Sequence, residues 1–180
     1  MKFEQTELEG AWIIHINKLE DDRGFFARTF CQREFLKYGL NPRVVQCNVS
    51  YNKKKGTLRG MHLQVSPFRE AKLVQCTAGA IYDVMIVLRR ESPTYLKHVG
   101  VTLSAQEYRM LYIPEGFAHG FLTLTDGVNV FYQMSEFYAP ECAIGFRWND
   151  PAFGITLPDE VQVISERDAN YPDFAEDLLR

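Results

Sequence analysis

The chain has 180 residues, with 20 Lys and Arg against 23 Asp and Glu, which leaves a formal net charge of −3 at pH 7. This balance argues against a protein that binds nucleic acid or a membrane surface through positive charge. Hydrophobic residues make up 46% and aromatic residues 13% of the chain, which excludes disorder and favours one compact domain over residues 1–180. No run of about 20 apolar residues is present, and acidic residues lie among the first ten, so we expect a cytoplasmic protein.

The sequence predicts an all-β protein with one short helix. Between Cys31 and Leu40, apolar residues such as Phe35 and Leu36 are interspersed with charged residues, and a glycine ends the segment, which is typical of a helix. Elsewhere, short runs of β-branched and aromatic residues are bounded by Gly, Pro, Asn or Asp, which indicates strands. The predicted strands are Trp12–Ile16, Val44–Tyr51, Lys72–Cys76, Ala80–Leu88, Val99–Leu103, Arg109–Ile113, Phe117–Leu124 and Val128–Met134. Strands at this spacing favour a sandwich or a jelly roll.

One predicted strand carries polar and apolar side chains on opposite faces. Its polar face holds Gln46, Asn48 and Ser50, and its other face holds Val45, Cys47, Val49 and Tyr51. A period of two places each set on one side of a sheet. The polar face either lines a polar pocket or is solvated, and for a single strand the second interpretation is the more common one.

Side chains suited to chemistry are concentrated just before and within the next predicted strand. The segment 56–64, GTLRGMHLQ, brings Arg59 and His62 together, and Lys72 follows. Histidine transfers protons near neutral pH, whereas Arg and Lys bind anionic oxygens. A single histidine is more often structural, so this segment alone does not define an active site.

A second segment, 113–121, has the sequence IPEGFAHGF, in which proline and glycine shape a turn that leads His119 into the following strand. It resembles the second motif of cupins, PxGxxH. The first cupin motif normally supplies two histidines and a glutamate to a metal, but the matching region here has only His62, followed by Leu63 and Gln64. The four cysteines form no CxxC pair. We therefore expect no metal site.

Seven motifs follow one another in order: Asp22–Phe26, Gln46–Asn48, Gly56–His62, Lys72–Val74, Ser92–Tyr95, Pro114–Phe121 and Trp148–Pro151. Their order and spacing resemble the dTDP-4-dehydrorhamnose 3,5-epimerase family over most of the chain. This resemblance implies a double-stranded β-helix, the cupin-type jelly roll, with a few short helices. It also implies epimerisation at C3 and C5 of a 4-keto-6-deoxyhexose nucleotide, without a cofactor or metal, by a homodimer.

The resemblance also implies the catalytic roles. His62 is the base that removes a proton beside the C4 ketone, Lys72 stabilises the C4 oxyanion, and Tyr132 delivers a proton to the opposite face. Asp168 is the carboxylate partner of His62, which holds the imidazole tautomer and stabilises the imidazolium. Without the resemblance, Asp168 would be interpreted as a surface acid.

Substrate binding is assigned by the same resemblance to seven residues: Arg23, Gln46, Asn48, Arg59, His119, Tyr138 and Arg167. The arginines face the diphosphate, the other polar residues contact sugar and phosphate, and the tyrosine stacks on the base, although by sequence alone ordinary packing explains the tyrosine better. Two positions depart from the family pattern, because Arg28 and Ala143 stand where glutamates are usual. These changes leave the identity of the nucleotide open.

Regular alternation along one strand would place Arg59 and His62 on opposite faces, which conflicts with a shared site. Either Gly60 marks a bend or Arg59 acts elsewhere, and in a homodimer one subunit could complete its neighbour's pocket.

Several functions remain as alternatives. A mono-epimerase, acting at one carbon only, would carry the same residues. A jelly-roll domain that binds a sugar nucleotide without turnover would not need the matched base and acid that His62 and Tyr132 provide. A 3,4-ketoisomerase fits less well because Lys72 and Tyr132 match the epimerase pattern, and a metal-dependent oxygenase fits less well because its ligands are incomplete.

Overall fold

The computed structural model describes residues 1–179, which form fourteen strands, two short α-helices and two 3₁₀ turns. The strands are β1 (Lys2–Gln5), β2 (Trp12–His15), β3 (Leu19–Asp21), β4 (Gly24–Phe26), β5 (Gln46–Asn52), β6 (Thr57–Gln64), β7 (Lys72–Ala78), β8 (Ala80–Val87), β9 (His98–Ser104), β10 (Met110–Ile113), β11 (Phe117–Thr123), β12 (Val128–Met134), β13 (Ala143–Gly145) and β14 (Val163–Ile164). The helices are α1 (Gln32–Lys37) and α2 (Glu166–Ala169), and the 3₁₀ turns are Pro140–Cys142 and Glu176–Leu179.

Two six-stranded sheets make up the body of the fold. The first sheet has the order β1-β2-β10-β7-β12-β5, and all its strands are antiparallel. The second has the order β13-β6-β11-β8-β9, and β14 adds to β6 in the parallel direction. Several neighbouring strands are distant in sequence, as in β7 beside β12 and β6 beside β11, so the chain crosses repeatedly between the sheets.

The largest apolar cluster fills the space between the sheets. It contains Val74, Leu111 and Val130 from the first sheet and Ile81, Met85 and Phe121 from the second. Two smaller clusters cover the outer faces, because α1 packs Phe35 on the first sheet and the C-terminal segment packs Phe146 and Phe153 on the second. At one part of the interior, polar side chains replace apolar ones at inward positions, and a cavity opens there.

The structure contains every strand predicted from the sequence, with shifts of up to two residues at their ends. The predicted helix at 31–40 is also present, shortened to α1, with Cys31 and Tyr38 as its caps. A second short helix, α2, is capped by Ser165, whose Oγ accepts from the Asp168 amide, which agrees with the few short helices that the resemblance implies. No helix within residues 1–179 is long and apolar enough to cross a membrane.

Candidate active site

Two adjoining cavities of about 360 and 380 Å³ open between the sheets, a size typical of ligand sites. Three residues line both cavities: His62 from β6, Lys72 from β7 and Tyr132 from β12. We call the place where these residues meet the junction. His62 belongs to one sheet, whereas Lys72 and Tyr132 belong to the other, so the junction has chemically active groups on opposing walls.

Ten of the eleven site residues predicted from the sequence line these two cavities. Besides the junction residues, the first cavity is lined by Arg59, His119 and Asp168. The second cavity is lined by Gln46, Asn48, Tyr138 and Arg167. Residues separated by more than 100 positions in the sequence thus face a common space.

A β-bulge at Gly60 brings Arg59 and His62 to the same side of β6. On the neighbouring strand β11, His119 lies opposite His62 and Phe121 lies opposite Arg59, so two steps on β11 correspond to three on β6. The extra residue is Gly60, which has φ +126°, and a Cβ atom there would lie 2.5 Å from Gly120 Cα. The bend at Gly60 therefore removes the conflict between regular alternation and a shared site.

His62 and Asp168 form a hydrogen-bonded pair at the junction. The His62 Nε2 atom lies 2.8 Å from Asp168 Oδ1, and Asp168 Oδ2 accepts from the Gly60 amide at 3.2 Å. Burial raises the pKa of the Asp168 carboxyl, but the His62 and Gly60 hydrogen bonds outweigh it and bring the pKa below its ordinary value. The carboxylate is therefore ionised at neutral pH, and in its hydrogen bond with His62 it can only be the acceptor.

A second histidine and aspartate pair lies next to the first cavity. His119 Nε2 lies 2.8 Å from Asp83 Oδ2, and both residues are buried. Complete burial raises the pKa of the Asp83 carboxyl, against the opposing charges of His119 and Lys72. Sequence reasoning missed Asp83, although it is the only charged residue in the apolar segment 80–88, and such a residue is rarely buried without a partner.

Lys72 and Tyr132 belong to adjacent strands of the first sheet. Lys72 is buried, and its ammonium forms an ion pair with Glu70, a cavity residue that sequence reasoning also missed. Burial first, and the charge of Glu70 second, raise the pKa of the Tyr132 phenol, whereas Arg59 lowers it. The phenol is thus in its proton-donating form at neutral pH.

The polar face of β5 points into the cavities. Gln46 and Asn48 line the second cavity and Ser50 the first, and all three are half-buried. Val49 and Tyr51 also border the first cavity, but they are largely exposed. This orientation reverses the usual rule that the apolar face of a strand is buried. The pocket interpretation of the alternating pattern is the one that the structure supports.

Arg23 lies outside the cavities of its own chain. It is in the turn between β3 and β4, its side chain is 90% exposed, and its guanidinium pairs with Asp21. Of the two positions that depart from the family pattern, Ala143 lines the second cavity, whereas Arg28 lies outside both cavities and pairs with Glu34 at 3.2 Å.

In residues 1–179, no group of three or more His, Cys, Asp or Glu side chains is arranged to hold a metal.

Two facing sheets with His62, Lys72, Tyr132 and Asp168 in the cavity between them form a cupin-like jelly roll that holds groups suited to proton transfer. The family model described as dTDP-4-dehydrorhamnose 3,5-epimerase matches residues 5–176, and the chain belongs to this family.

Relatives named as dTDP-4-dehydrorhamnose 3,5-epimerases cover nearly the whole chain. The one from Methanothermobacter thermautotrophicus is 43% identical over 97% of this chain and 95% of its own. The crystal structure of the one from Elizabethkingia anophelis has a TM-score of 0.93 at 37% identity, covering 97% of this chain and 96% of that chain. The one from Bacillus anthracis, with TDP and PPi bound, has a TM-score of 0.92 at 38% identity, covering 96% and 99%. The fold and the enzyme class expected from the sequence are thereby confirmed.

Proposed function

We propose that the chain epimerises C3 and C5 of a nucleotide sugar that carries a ketone at C4, of the dTDP-4-dehydro-6-deoxyglucose type. The observation that carries this proposal is the junction, where His62 on one sheet, paired with Asp168 of α2, opposes Tyr132 on the other sheet, with Lys72 beside it. A C4 ketone acidifies the protons at C3 and C5. Inversion at either carbon requires removal of a proton from one face and its return to the other.

His62 is the base in this proposal. Because Asp168 is ionised and can only accept, the proton of the neutral imidazole lies on Nε2, which leaves Nδ1 free to take a proton from the sugar. After the transfer, the imidazolium donates to the carboxylate 2.8 Å away, and this buried charge stabilises it.

Lys72 stabilises the enolate. When the C3 or C5 proton leaves, its electron pair delocalises onto the C4 oxygen, which becomes negative. An ammonium that is already held in a buried wall stabilises this oxyanion more than water does, because it need not reorient during the reaction. The positive charge is thus most useful at the enolate and less useful in the ground state.

Tyr132 returns a proton to the other face of the sugar. It projects from β12 of the first sheet, whereas His62 projects from β6 of the second, so a sugar at the junction has one group on each side. The phenol O–H bond breaks as the new C–H bond forms and the C4 ketone is restored. The phenolate and imidazolium then exchange protons with solvent, and the same steps at C5 complete the double epimerisation. No electron is lost or gained, so no redox cofactor is needed.

The second cavity is proposed to hold the nucleotide. Tyr138 at its edge is half-exposed and presents an aromatic face to a base, and the nearby Arg167 guanidinium, 5.6 Å from the Tyr171 ring centroid, supplies charge for phosphate. Ala143 in this cavity offers no carboxylate acceptor. Competition between dTDP, UDP and GDP for the site, measured by calorimetry, would establish which nucleotide is bound.

We further propose that the protein acts as a homodimer and that Arg23 reaches the cavity of the partner subunit. In the β3–β4 hairpin that carries Arg23, Leu19 and Phe26 are cross-strand partners that are 67% and 72% exposed, so they form an apolar patch of the kind that marks an interaction surface. Mixing Arg23→Ala and His62→Ala subunits tests this arrangement. Each variant alone should have low activity. If Arg23 acts across the interface, random mixing should restore about a quarter of the wild-type sites, because about half of the dimers are mixed and each of these has one intact site of two. No restoration would contradict the shared site.

Solvent deuterium exchange tests the reaction itself. The protein is incubated in deuterated water with a dTDP-4-keto-6-deoxyglucose substrate, and C3 and C5 are followed by NMR. We expect deuterium at both carbons together with the inverted sugar. Exchange and inversion at C3 alone would indicate the mono-epimerase, and tight binding with no exchange would indicate a binding protein.

A further inference from the structure

Glu70 forms an ion pair that the proposed mechanism does not use. It lies two residues before Lys72, in the segment that leads into β7, and its Oε1 atom pairs with the Lys72 ammonium. The two side chains are only 5% and 11% exposed, and both line the second cavity. The carboxylate therefore sits beside the group that is proposed to stabilise the enolate.

Within the part of the chain that the structure describes, one oxygen of the Glu70 carboxylate has no hydrogen-bond partner, and a contribution to the stability of the fold does not explain such an ion pair. The second carboxylate oxygen, Oε2, is shielded from solvent and has no hydrogen-bond partner among residues 1–179. A buried charge with an unsatisfied oxygen is unfavourable for folding, and a hydrophobic pair of similar volume is often equally stable or more so. The observation indicates that Glu70 serves the cavity.

The backbone around Glu70 is held firmly. Ala71, between the two charged residues, donates its amide to Ser135 Oγ at 2.7 Å, and its carbonyl accepts from the Ser135 amide at 2.9 Å. Gln64 anchors the same segment by donating to the Phe68 carbonyl at 2.9 Å. With the main chain restrained on both sides, the carboxylate limits where the flexible lysine side chain can place its ammonium.

Tyr132 lies within reach of the same charge. Burial first, and Glu70 second, raise the pKa of its phenol, and Arg59 opposes them. The titratable and charged side chains that line the cavities around Tyr132 are Tyr51 of β5, Arg59 and His62 of β6, Glu70 before β7, Lys72 of β7, His119 of β11, Tyr138, and Arg167 and Asp168 of α2. Glu70 is the member of this set whose negative charge raises that pKa.

We propose, on the basis of the epimerase mechanism above, that Glu70 is a positioning residue that holds the Lys72 ammonium at the junction for the C4 oxyanion. Its effect on Tyr132 follows from the same placement, because a negative charge there favours the protonated phenol. Glu70 itself touches neither reacting carbon.

The test compares Glu70→Gln with Glu141→Gln. The first variant keeps the shape of Glu70 and removes its charge; the second removes an equal charge from an exposed residue that lines neither cavity. We expect Glu70→Gln to lower kcat by roughly tenfold or more, as for a displaced catalytic group, while dTDP binding changes by less than about twofold. The control should keep the wild-type kcat. A wild-type kcat in Glu70→Gln, or an equal loss of dTDP affinity, would overturn the proposal.

A second readout does not depend on turnover. Tyrosine labelled with ¹³C at Cζ reports phenol ionisation by NMR, and the Tyr132 resonance is identified as the one that disappears in Tyr132→Phe. In Glu70→Gln this resonance should titrate at lower pH than in the wild type, and an unchanged titration would overturn the electrostatic part. If the wild type neither exchanges nor inverts the sugar, the proposed function fails, and the titration still tests the placement of Glu70.

Glu70→Asp separates the two effects and serves if Glu70→Gln does not fold. Aspartate keeps the charge near Tyr132 but is one methylene shorter, so it should hold Lys72 poorly. We expect a nearly unchanged phenol titration with a reduced kcat. A wild-type kcat in Glu70→Asp would show that the placement of Lys72 does not depend on Glu70.

Discussion

Replacing Gly60 with alanine tests the bulge that assembles the site. Gly60 has φ +126°, and an added Cβ would lie 2.5 Å from Gly120 Cα and 2.9 Å from the His119 carbonyl oxygen. Both neighbours are backbone atoms of β11, which cannot turn aside as a flexible side chain would. The alanine must therefore shift β6, β11 or both, and the shift acts directly on Arg59 and His62.

The cost has two parts. A non-glycine residue in this region of backbone conformation costs about 1–3 kcal/mol. Overpacking against fixed backbone adds about 1–3 kcal/mol. We expect Gly60→Ala to lower the free energy of unfolding by about 2–6 kcal/mol, a large share of the roughly 5–15 kcal/mol that holds a typical domain folded.

Gly127→Ala is the control, because Gly127 also has a positive φ, +65°, an added Cβ there meets nothing within 4 Å, and the residue lies in the turn before β12, away from the β3–β4 hairpin. It carries the conformational cost of about 1–3 kcal/mol without the clash. Urea unfolding at one fixed protein concentration gives the free energy of unfolding for both variants. The difference between them isolates the contact with β11.

Activity completes the test. At low temperature, the Gly60→Ala protein that remains folded should have a kcat about a hundredfold below that of the wild type, since a displacement of a catalytic group by about 1 Å is enough for such a loss. Equal destabilisation of the two variants, or wild-type turnover in Gly60→Ala, would refute the argument that close approach at the bulge sets the position of His62.

Four further outcomes are expected. His62→Ala should lose at least about a hundredfold in kcat while its circular dichroism stays native, and near-normal turnover would remove His62 from the mechanism. Tyr132→Phe should still incorporate solvent deuterium through His62 while the inverted product falls, and equal loss of both would make Tyr132 a binding residue. Because the folded-state pKa of Asp168 is lowered, its stabilising effect is full above the unfolded pKa and is lost as pH falls through the folded value. The difference in unfolding free energy between wild type and Asp168→Asn should therefore shrink below about pH 4, and a constant difference would contradict the ionised pair. Activity should survive exhaustive chelation, and loss that a specific metal restores would contradict metal-free catalysis.

Local patterns in the sequence determined the secondary structure of the sheets. Short β-branched and aromatic runs between turn residues identified the long strands, because this pattern depends only on neighbours along the chain. The strands that the sequence patterns did not predict were mostly two to four residues long, as in β3, β4, β13 and β14, and too short to show a period. The strand β6 was not predicted because Gly60 interrupts the alternation of its side chains.

The resemblance that the motifs carry also identified ten cavity-lining residues, since each motif is a local arrangement around a functional side chain. Their placement depended on tertiary structure. Asp168 looks like a surface acid in sequence, yet α2 brings it 2.8 Å from His62 across 106 positions. Asp83 and Glu70 gained their importance only from burial beside His119 and Lys72, because the environment of a charge is set by distant strands.

The tertiary structure alone decided which faces meet. Alternation predicted two faces for Arg59 and His62, and one inserted residue at Gly60 reversed the parity of the strand, so that both point into the cavity. The polar side of β5 is oriented inward because Gln46 and Asn48 face a cavity between the sheets, and no periodicity in a single strand can tell a pocket from solvent. A sequence specifies the period of its side chains, but the direction of the interior depends on the strands that pair beside them.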